Sequence, residues 1–138
     1  MELRANMRNI LLITSCLLLT LSSVALAEPV EDVFDAYRNA VKNRQYSSLA
    51  KYATTESVRK GYHGMKDFQR ANFLKCFDNN PYNVKYQGKT KATIYFKESR
   101  NGTANPHMFT REGGEWKIDF VKMRRRIIFG RGNKWRWR

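Results

Sequence analysis

The hydrophobic pattern of this chain changes period at the turn-forming residues 78–81, Asp-Asn-Asn-Pro. Before them, apolar residues recur every three or four positions, as on one face of an α-helix. After them, apolar and polar residues alternate, and β-branched and aromatic residues become common, as in strands with one buried face. Helices followed by strands are expected to pack as a helical layer on an antiparallel sheet. The sequence therefore predicts an α+β fold.

Three helices are predicted in the first half, over residues 29–43, 46–58 and 65–77. Proline suits the first turn of a helix, so the first helix is expected to begin at Pro29. Its inward stripe is expected to be Val30, Val33, Phe34, Tyr37 and Val41. The inward residues of the second helix are predicted to be Leu49, Tyr52 and Ala53, and those of the third Phe68, Ala71, Leu74 and Phe77.

Strands are predicted over residues 83–87, 91–100, 105–111 and 115–123. Asn101-Gly102 and Gly113-Gly114 are expected to form two-residue hairpin turns. These turns place Phe96 opposite His107, and Phe109 opposite both Ile94 and Ile118. One continuous apolar face results, made of Ala92, Ile94, Phe96, His107, Phe109, Trp116, Ile118 and Phe120. Asp119 is expected on the opposite face.

Residues 1–27 have the pattern of an export signal cleaved after Ala27. Two arginines precede an apolar stretch at residues 10–21, which is shorter than the roughly 20 residues of a membrane span. We therefore expect a periplasmic or secreted protein. A lipoprotein anchored at Cys16 is the alternative, because Ile-Thr-Ser precedes that cysteine. After cleavage Cys76 is the one remaining cysteine, and its apolar neighbours predict a buried, inert thiol. A disulfide-linked dimer is the alternative.

The two predicted strands around Gly113-Gly114 resemble those of a known superfamily. Residues 111–119 read Arg-Glu-Gly-Gly-Glu-Trp-Lys-Ile-Asp. Together with three helices followed by a meander, residues 29–121 resemble small exported bacterial members of the nuclear transport factor 2-like superfamily. The resemblance implies a cystatin-like or nuclear transport factor 2-like cone with a pocket between helices and curved sheet, and it makes a sheet-to-sheet homodimer an expected assembly. The superfamily includes isomerases, dehydratases and non-catalytic binding domains, so the fold alone assigns no function.

The pocket implied by such a cone would lie around His107, a titratable group on an otherwise apolar face. Its predicted lining is His107, Phe96, Phe109, Phe120, Ile118 and Tyr37. The alternative is a structural histidine that bonds to the backbone near the end of the sheet. No catalytic residue is predicted, because no second catalytic group is assured beside His107. No cofactor is predicted. No metal ion is predicted either, because His63, His107 and a single mature cysteine lack the close spacing of metal ligands.

Residues 122–138, here called the C-terminal basic segment, contain eight Lys or Arg residues and no Asp or Glu, in a chain of net charge +14. Cations alternate with Trp135 and Trp137 at its end, a composition suited to an anionic membrane interface. The predicted anion-binding residues are Arg124, Arg125, Arg126, Arg131, Lys134, Trp135, Arg136, Trp137 and Arg138. The alternative is a solvated end that extends the last strand.

These features predict an exported, non-enzymatic binding or accessory module, with a domain at residues 28–123 and an extension at residues 124–138. Its partner would be an anionic envelope component (lipid headgroups, lipopolysaccharide or a cell-wall polymer) or an acidic protein. The export signal argues against a cytosolic nucleic-acid role. Two alternatives stay open: a small-molecule pocket protein, including an isomerase-like or dehydratase-like enzyme, and an immunity or inhibitor-type protein that binds a secreted partner.

Overall fold

The structure is a computed structural model that describes residues 28–100, 104–130 and 134–137, with residues 127–130 and 134–137 described by their backbone. The predicted export signal and Cys16 therefore lie outside the described residues. Helix α1, Val30–Lys42, matches the predicted first helix closely. Acidic side chains in its first turn and Lys42 in its last complement the helix dipole. Its buried residues are Val30, Val33, Phe34, Tyr37, Ala40 and Val41, which confirms the predicted stripe.

The predicted second helix is two short helices, a 3₁₀ helix at Tyr46–Tyr52 and α2 at Thr55–Arg59. Between them the backbone at Ala53 and Thr54 is extended and lies beside the last strand of the main sheet. The Thr54 amide donates to the carbonyl of Ile118 (3.0 Å), and the Thr54 hydroxyl accepts from the amide of Ser57 at the start of α2. The helix is interrupted because this extended pair covers a sheet edge that would otherwise be unpaired.

Helix α3, Asp67–Phe77, begins near the predicted position, and two of its four predicted inward residues, Leu74 and Phe77, pack against the core. Phe73 and Cys76 are buried, whereas Phe68 is 67% exposed. The prediction that Phe68 and Ala71 point inward was therefore wrong. The Phe73 ring packs edge-on against Tyr37 of α1 with centroids 5.6 Å apart, so docking on α1 selects the face. Burial of Cys76 confirms that part of the prediction.

The turn after α3 is held by Asn80, which is 1% exposed. Its side-chain amide donates to the carbonyls of Cys76 and Glu98, both at 2.8 Å, and its side-chain oxygen accepts from the amide of Glu98 (3.2 Å). The amide of Lys97 also donates to the carbonyl of Pro81 (2.7 Å). These bonds attach the chain beyond the second strand to the end of α3.

Four strands form an antiparallel meander in the order β1-β2-β3-β4. They are β1 Tyr82–Gln87, β2 Lys91–Phe96, β3 His107–Glu112 and β4 Glu115–Ile118. The predicted pairing of Phe109 with Ile118 is confirmed. Between β2 and β3, however, Ile94 pairs with His107 rather than with Phe109, a shift of two residues.

The shifted register follows from where β2 ends. Lys97 and Glu98 bond to the turn after α3, and Pro106 has no amide hydrogen to contribute to a ladder. The strands therefore stop pairing before the predicted tight turn at Asn101-Gly102, which lies outside the described residues. A shift of two keeps every side chain on its predicted face, because side chains alternate with a period of two.

The last predicted strand is shorter than expected. Strand β4 ends at Ile118, and residues predicted as strand form helix α4, Phe120–Arg126. The Asp119 carboxylate accepts from the amide of Lys122 (3.0 Å), the usual role of an aspartate before a helix. The chain then forms a separate two-stranded antiparallel sheet, β5 Ile127–Gly130 and β6 Lys134–Trp137.

The core lies between α1 and one face of the sheet, here called the inner face. Phe34 of α1 contacts the rings of Phe96, His107 and Phe109, with centroids 5.2 to 6.4 Å apart. The protein is therefore an α+β fold whose helices pack on an open four-stranded antiparallel sheet. In the described ranges, every helix lacks the length or the apolar character needed to cross a membrane.

Candidate functional site

His107, at the start of β3, is 3% exposed and is surrounded by aromatic rings. Phe77, Phe34 and Phe96 have centroids 4.7, 5.2 and 5.5 Å from the imidazole. Its Nδ1 lies 3.2 Å from the carbonyl oxygen of Asn105, which can only accept, so Nδ1 donates. Burial lowers the pKa of His107 to about 4, against the smaller opposing effect of that backbone bond.

The other residues of the predicted pocket belong to the same packed region. Tyr37, Phe109 and Ile118 are at most 2% exposed, and Phe96 and Phe120 are partly buried against them. Burial raises the pKa of the Tyr37 hydroxyl above its ordinary value. The structure thus brings together all six predicted residues, as core neighbours. A ligand among them stays a prediction.

Helix α4 is fixed to the opposite face of the sheet, here called the outer face, by a partly buried polar cluster. The Thr110 hydroxyl donates to Asp119 Oδ2 (2.8 Å), and Lys122 Nζ donates to the Thr110 oxygen (2.9 Å). Lys122 Nζ also lies 3.3 Å from Asp119 Oδ2. Asp119 is therefore on the outer face, as predicted, and its charge is paired with one lysine of the C-terminal basic segment.

Three predicted anion-binding residues, Arg124, Arg125 and Arg126, are exposed in the last turn of α4. Cations at this end of a helix are favoured by the helix dipole. The guanidinium of Arg124 stacks on the ring of Tyr62, 3.9 Å from its centroid. Arg125 and Arg126 lie three and four residues after Lys122, so these three share one face of the helix.

The remaining predicted residues lie in or around the β5–β6 hairpin. Ile127 pairs with Trp137, and Phe129 pairs with Trp135. Because paired and alternate residues share a face of a sheet, the register places these four on one face. The other face holds Ile128, Gly130, Lys134 and Arg136. Arg131 and Arg138 lie outside the described residues.

Sequence reasoning missed a groove of about 510 Å³ on the outer face. Its lining includes Lys91, Thr93, Tyr95 and Met108 of the sheet, together with the Lys122–Arg126 face of α4. Strand alternation correctly predicted Thr93, Tyr95 and Met108 on that face. The groove was missed because residues 120–123 were predicted as strand, which would have left the outer face uncovered.

In the part of the chain that the structure describes, no three His, Cys, Asp or Glu side chains are grouped as a metal site requires. Comparison with protein-family models, curated proteins and solved structures found no match to this chain. The resemblance to the nuclear transport factor 2-like superfamily therefore stays a prediction.

Proposed function

We propose that this protein is an exported, non-enzymatic module that binds the anionic lipid surface of an envelope membrane through its C-terminal basic segment. The observation that carries the proposal is the register of the β5–β6 hairpin. It separates two Trp, one Phe and one Ile on one face from Lys134 and Arg136 on the other. An amphipathic element of this kind suits the boundary between headgroups and acyl chains.

The isolation of the hairpin adds to this argument. It is a two-stranded sheet that shares no ladder with β1–β4. Two strands alone are marginally stable in water and need a further layer against their apolar face. A membrane interface supplies such a layer. Trp135 and Trp137 fit that position because the indole ring is apolar over most of its surface and polar at its N–H.

Charge gives the second part of the binding energy. The segment carries eight cations, of which Lys122 is paired with Asp119, and each of the others contributes about 1 kcal/mol when it lies near an anionic leaflet. Arg124, Arg125 and Arg126 are exposed directly before the hairpin, so the cationic surface continues from the domain into the tail. The attraction decays within a Debye length of about 8 Å at physiological salt, so binding should weaken as salt rises.

The proposal includes the export signal at residues 1–27 and the cone-like family resemblance. Helices α1 and α3, packed on the inner face of a four-stranded meander, support that family. Contact with lipid is preferred to contact with an acidic protein, because apolar and cationic residues on opposite hairpin faces suit the layered polarity of a membrane surface.

The test is binding of the purified mature chain, residues 28–138, to vesicles of phosphatidylcholine with and without phosphatidylglycerol, measured by sedimentation. We expect binding only with phosphatidylglycerol, weakening with salt. The double variant Trp135→Ala, Trp137→Ala should bind about tenfold or more weakly, since two interfacial indoles are lost. Ile128→Ala is the matched control, because it removes an apolar residue from the other hairpin face.

The proposal fails if the wild-type protein binds vesicles equally well, or not at all, with and without phosphatidylglycerol. It also fails if Ile128→Ala weakens binding as much as the double variant does. Co-purification of one stoichiometric acidic protein, with no vesicle binding, would favour the immunity or inhibitor-type alternative instead.

A further inference from the structure

The groove on the outer face has a floor and a rim of different chemistry. The floor comes from alternate residues of β2, Thr93 and Tyr95, and from Met108, which pairs with Thr93 across the ladder. Tyr95 is 43% exposed, a large aromatic surface open to solvent. The rim contains Gln87, Lys91, Lys122, Arg125 and Arg126. The groove is therefore apolar along its base and cationic around its opening.

Three of the rim cations have no acidic partner nearby. Lys91, Arg125 and Arg126 lie more than 4 Å from every carboxylate in the described ranges, whereas Lys122 is paired with Asp119. Like charges gathered around one concavity repel each other and raise the local positive potential. An anion in the groove would relieve that repulsion. The charge distribution thus selects a negatively charged occupant.

A second copy of this chain does not fit the same groove. A symmetric sheet-to-sheet contact through Tyr95 and Met108 would bring the Lys91, Arg125 and Arg126 side chains of both copies together. Like charges facing each other across an interface cost several kcal/mol. The apolar base nevertheless favours an occupant with an apolar part beside its charge, which inorganic phosphate does not have.

We propose that this groove binds the phosphate and glycerol region of an anionic membrane lipid, a deepening that rests on the proposed function of the C-terminal basic segment. Arg125 and Arg126 donate to the phosphate oxygens, for which the planar guanidinium is well shaped. Lys91 adds a positive charge from the first residue of β2. Tyr95 and Met108 pack against the glycerol and the first methylene groups. The volume of about 510 Å³ is within the usual range of ligand sites.

The groove can be tested without a membrane. The probe is dihexanoyl phosphatidylglycerol, used below its micelle concentration and added to the mature chain, residues 28–138. The readout is the methyl chemical shift of Met108, identified among the three methionines of residues 28–138 by its loss in Met108→Leu. We expect a saturable shift. The same titration is made with dihexanoyl phosphatidylcholine, with glycerol phosphate and with inorganic phosphate, each of which should bind at least about tenfold more weakly.

Charge variants locate the site. The double variant Lys91→Gln, Arg126→Gln should weaken phosphatidylglycerol binding about tenfold or more, because two charge-assisted contacts are lost. The matched control is Lys89→Gln, Arg59→Gln, which removes the same charge from exposed positions outside the groove lining. Its affinity should stay within about twofold of wild type, because charges outside the groove are screened by salt.

Three results would overturn the assignment. One is the absence of a saturable Met108 shift with phosphatidylglycerol. The second is equal weakening in the groove variant and its control. The third is binding of phosphatidylcholine or of a free phosphate as tightly as phosphatidylglycerol, since the occupant would then lack the charge or the lipid character that we assign to it.

The two experiments distinguish an error in the groove assignment from an error in the proposed function. If vesicles still bind while Met108 does not shift, the groove assignment is wrong and the hairpin proposal stands. If the monomeric lipid binds in the groove while anionic vesicles do not bind, membrane contact through the hairpin is wrong.

Discussion

His107 is a titratable side chain whose surroundings are phenylalanine rings and one backbone carbonyl. Its neutral form is stabilised there because a charged imidazolium would lose its hydration without gaining a counter-ion. The pKa of His107 falls from its ordinary value of 6.5 to about 4. The unfolded chain therefore binds a proton near pH 6.5, while the folded chain does so only near pH 4.

The free energy of unfolding should consequently fall as the pH drops from about 6.5 to about 4, because the unfolded state binds more protons in that range. The loss that His107 causes between pH 7 and pH 4 is about 3 kcal/mol. His107→Phe keeps an aromatic ring and removes the titration. We expect the variant to lose about 3 kcal/mol less than wild type over that range, measured by urea unfolding at each pH. Equal losses in both proteins would contradict neutral burial of this histidine.

Helix α3 contains apolar residues on more than one face, and tertiary contacts decide which face is buried. Phe68 is exposed, while Phe73 packs against the rings of Tyr37 and Phe77 with centroids 5.6 and 4.9 Å apart. Each face satisfies helical spacing in the sequence. Only one of them can meet α1, since Arg70 on the same helix also donates to the carbonyls of Val41 and Lys42 at the end of α1.

This arrangement predicts opposite effects for two matched substitutions in α3. Phe73→Ala should lower the free energy of unfolding by about 3 kcal/mol or more, because it leaves a cavity among buried rings. Phe68→Ala should change it by less than about 0.5 kcal/mol. Urea unfolding of both variants measures the difference. A larger loss in Phe68→Ala would show that the face predicted from sequence is the buried one.

At the scale of the whole molecule, the chain has two parts of different expected stability. The sheet β1–β4 shares a core with α1 and α3, whereas β5 and β6 pair with each other alone. Local opening is most costly where strands are buried and cheapest in an isolated hairpin. The positive charge is also concentrated near the hairpin, because the C-terminal basic segment contains eight cations and no Asp or Glu.

Amide hydrogen exchange should reveal this division. In buffer, amides of β5 and β6 should be protected less than about tenfold, whereas those of Ile94 and Phe109 in the core strands should exchange slowest. On phosphatidylglycerol vesicles the hairpin amides should become protected about tenfold or more, because the interface supplies the layer that a lone hairpin lacks. Hairpin amides as slow as those of Phe109 in buffer would contradict the division.

The sequence by itself determined the features that depend on local spacing. The α1 stripe, the sheet faces and the pairing of Phe109 with Ile118 were predictable, because helix period, strand alternation and a two-residue glycine turn act over a few residues. The composition of the C-terminal basic segment, with its two Trp residues, was also evident from the sequence.

Only the tertiary structure decided the remainder. The buried face of α3, the two-residue shift between β2 and β3, and the helix after Asp119 depend on contacts between separate elements of the fold. The groove needed the last two of these, because Thr93 and Met108 at its base are paired in the shifted register and its cations come from β2 and α4. Local patterns fix which residues share a face, but packing against distant segments fixes which face is buried and what covers the other.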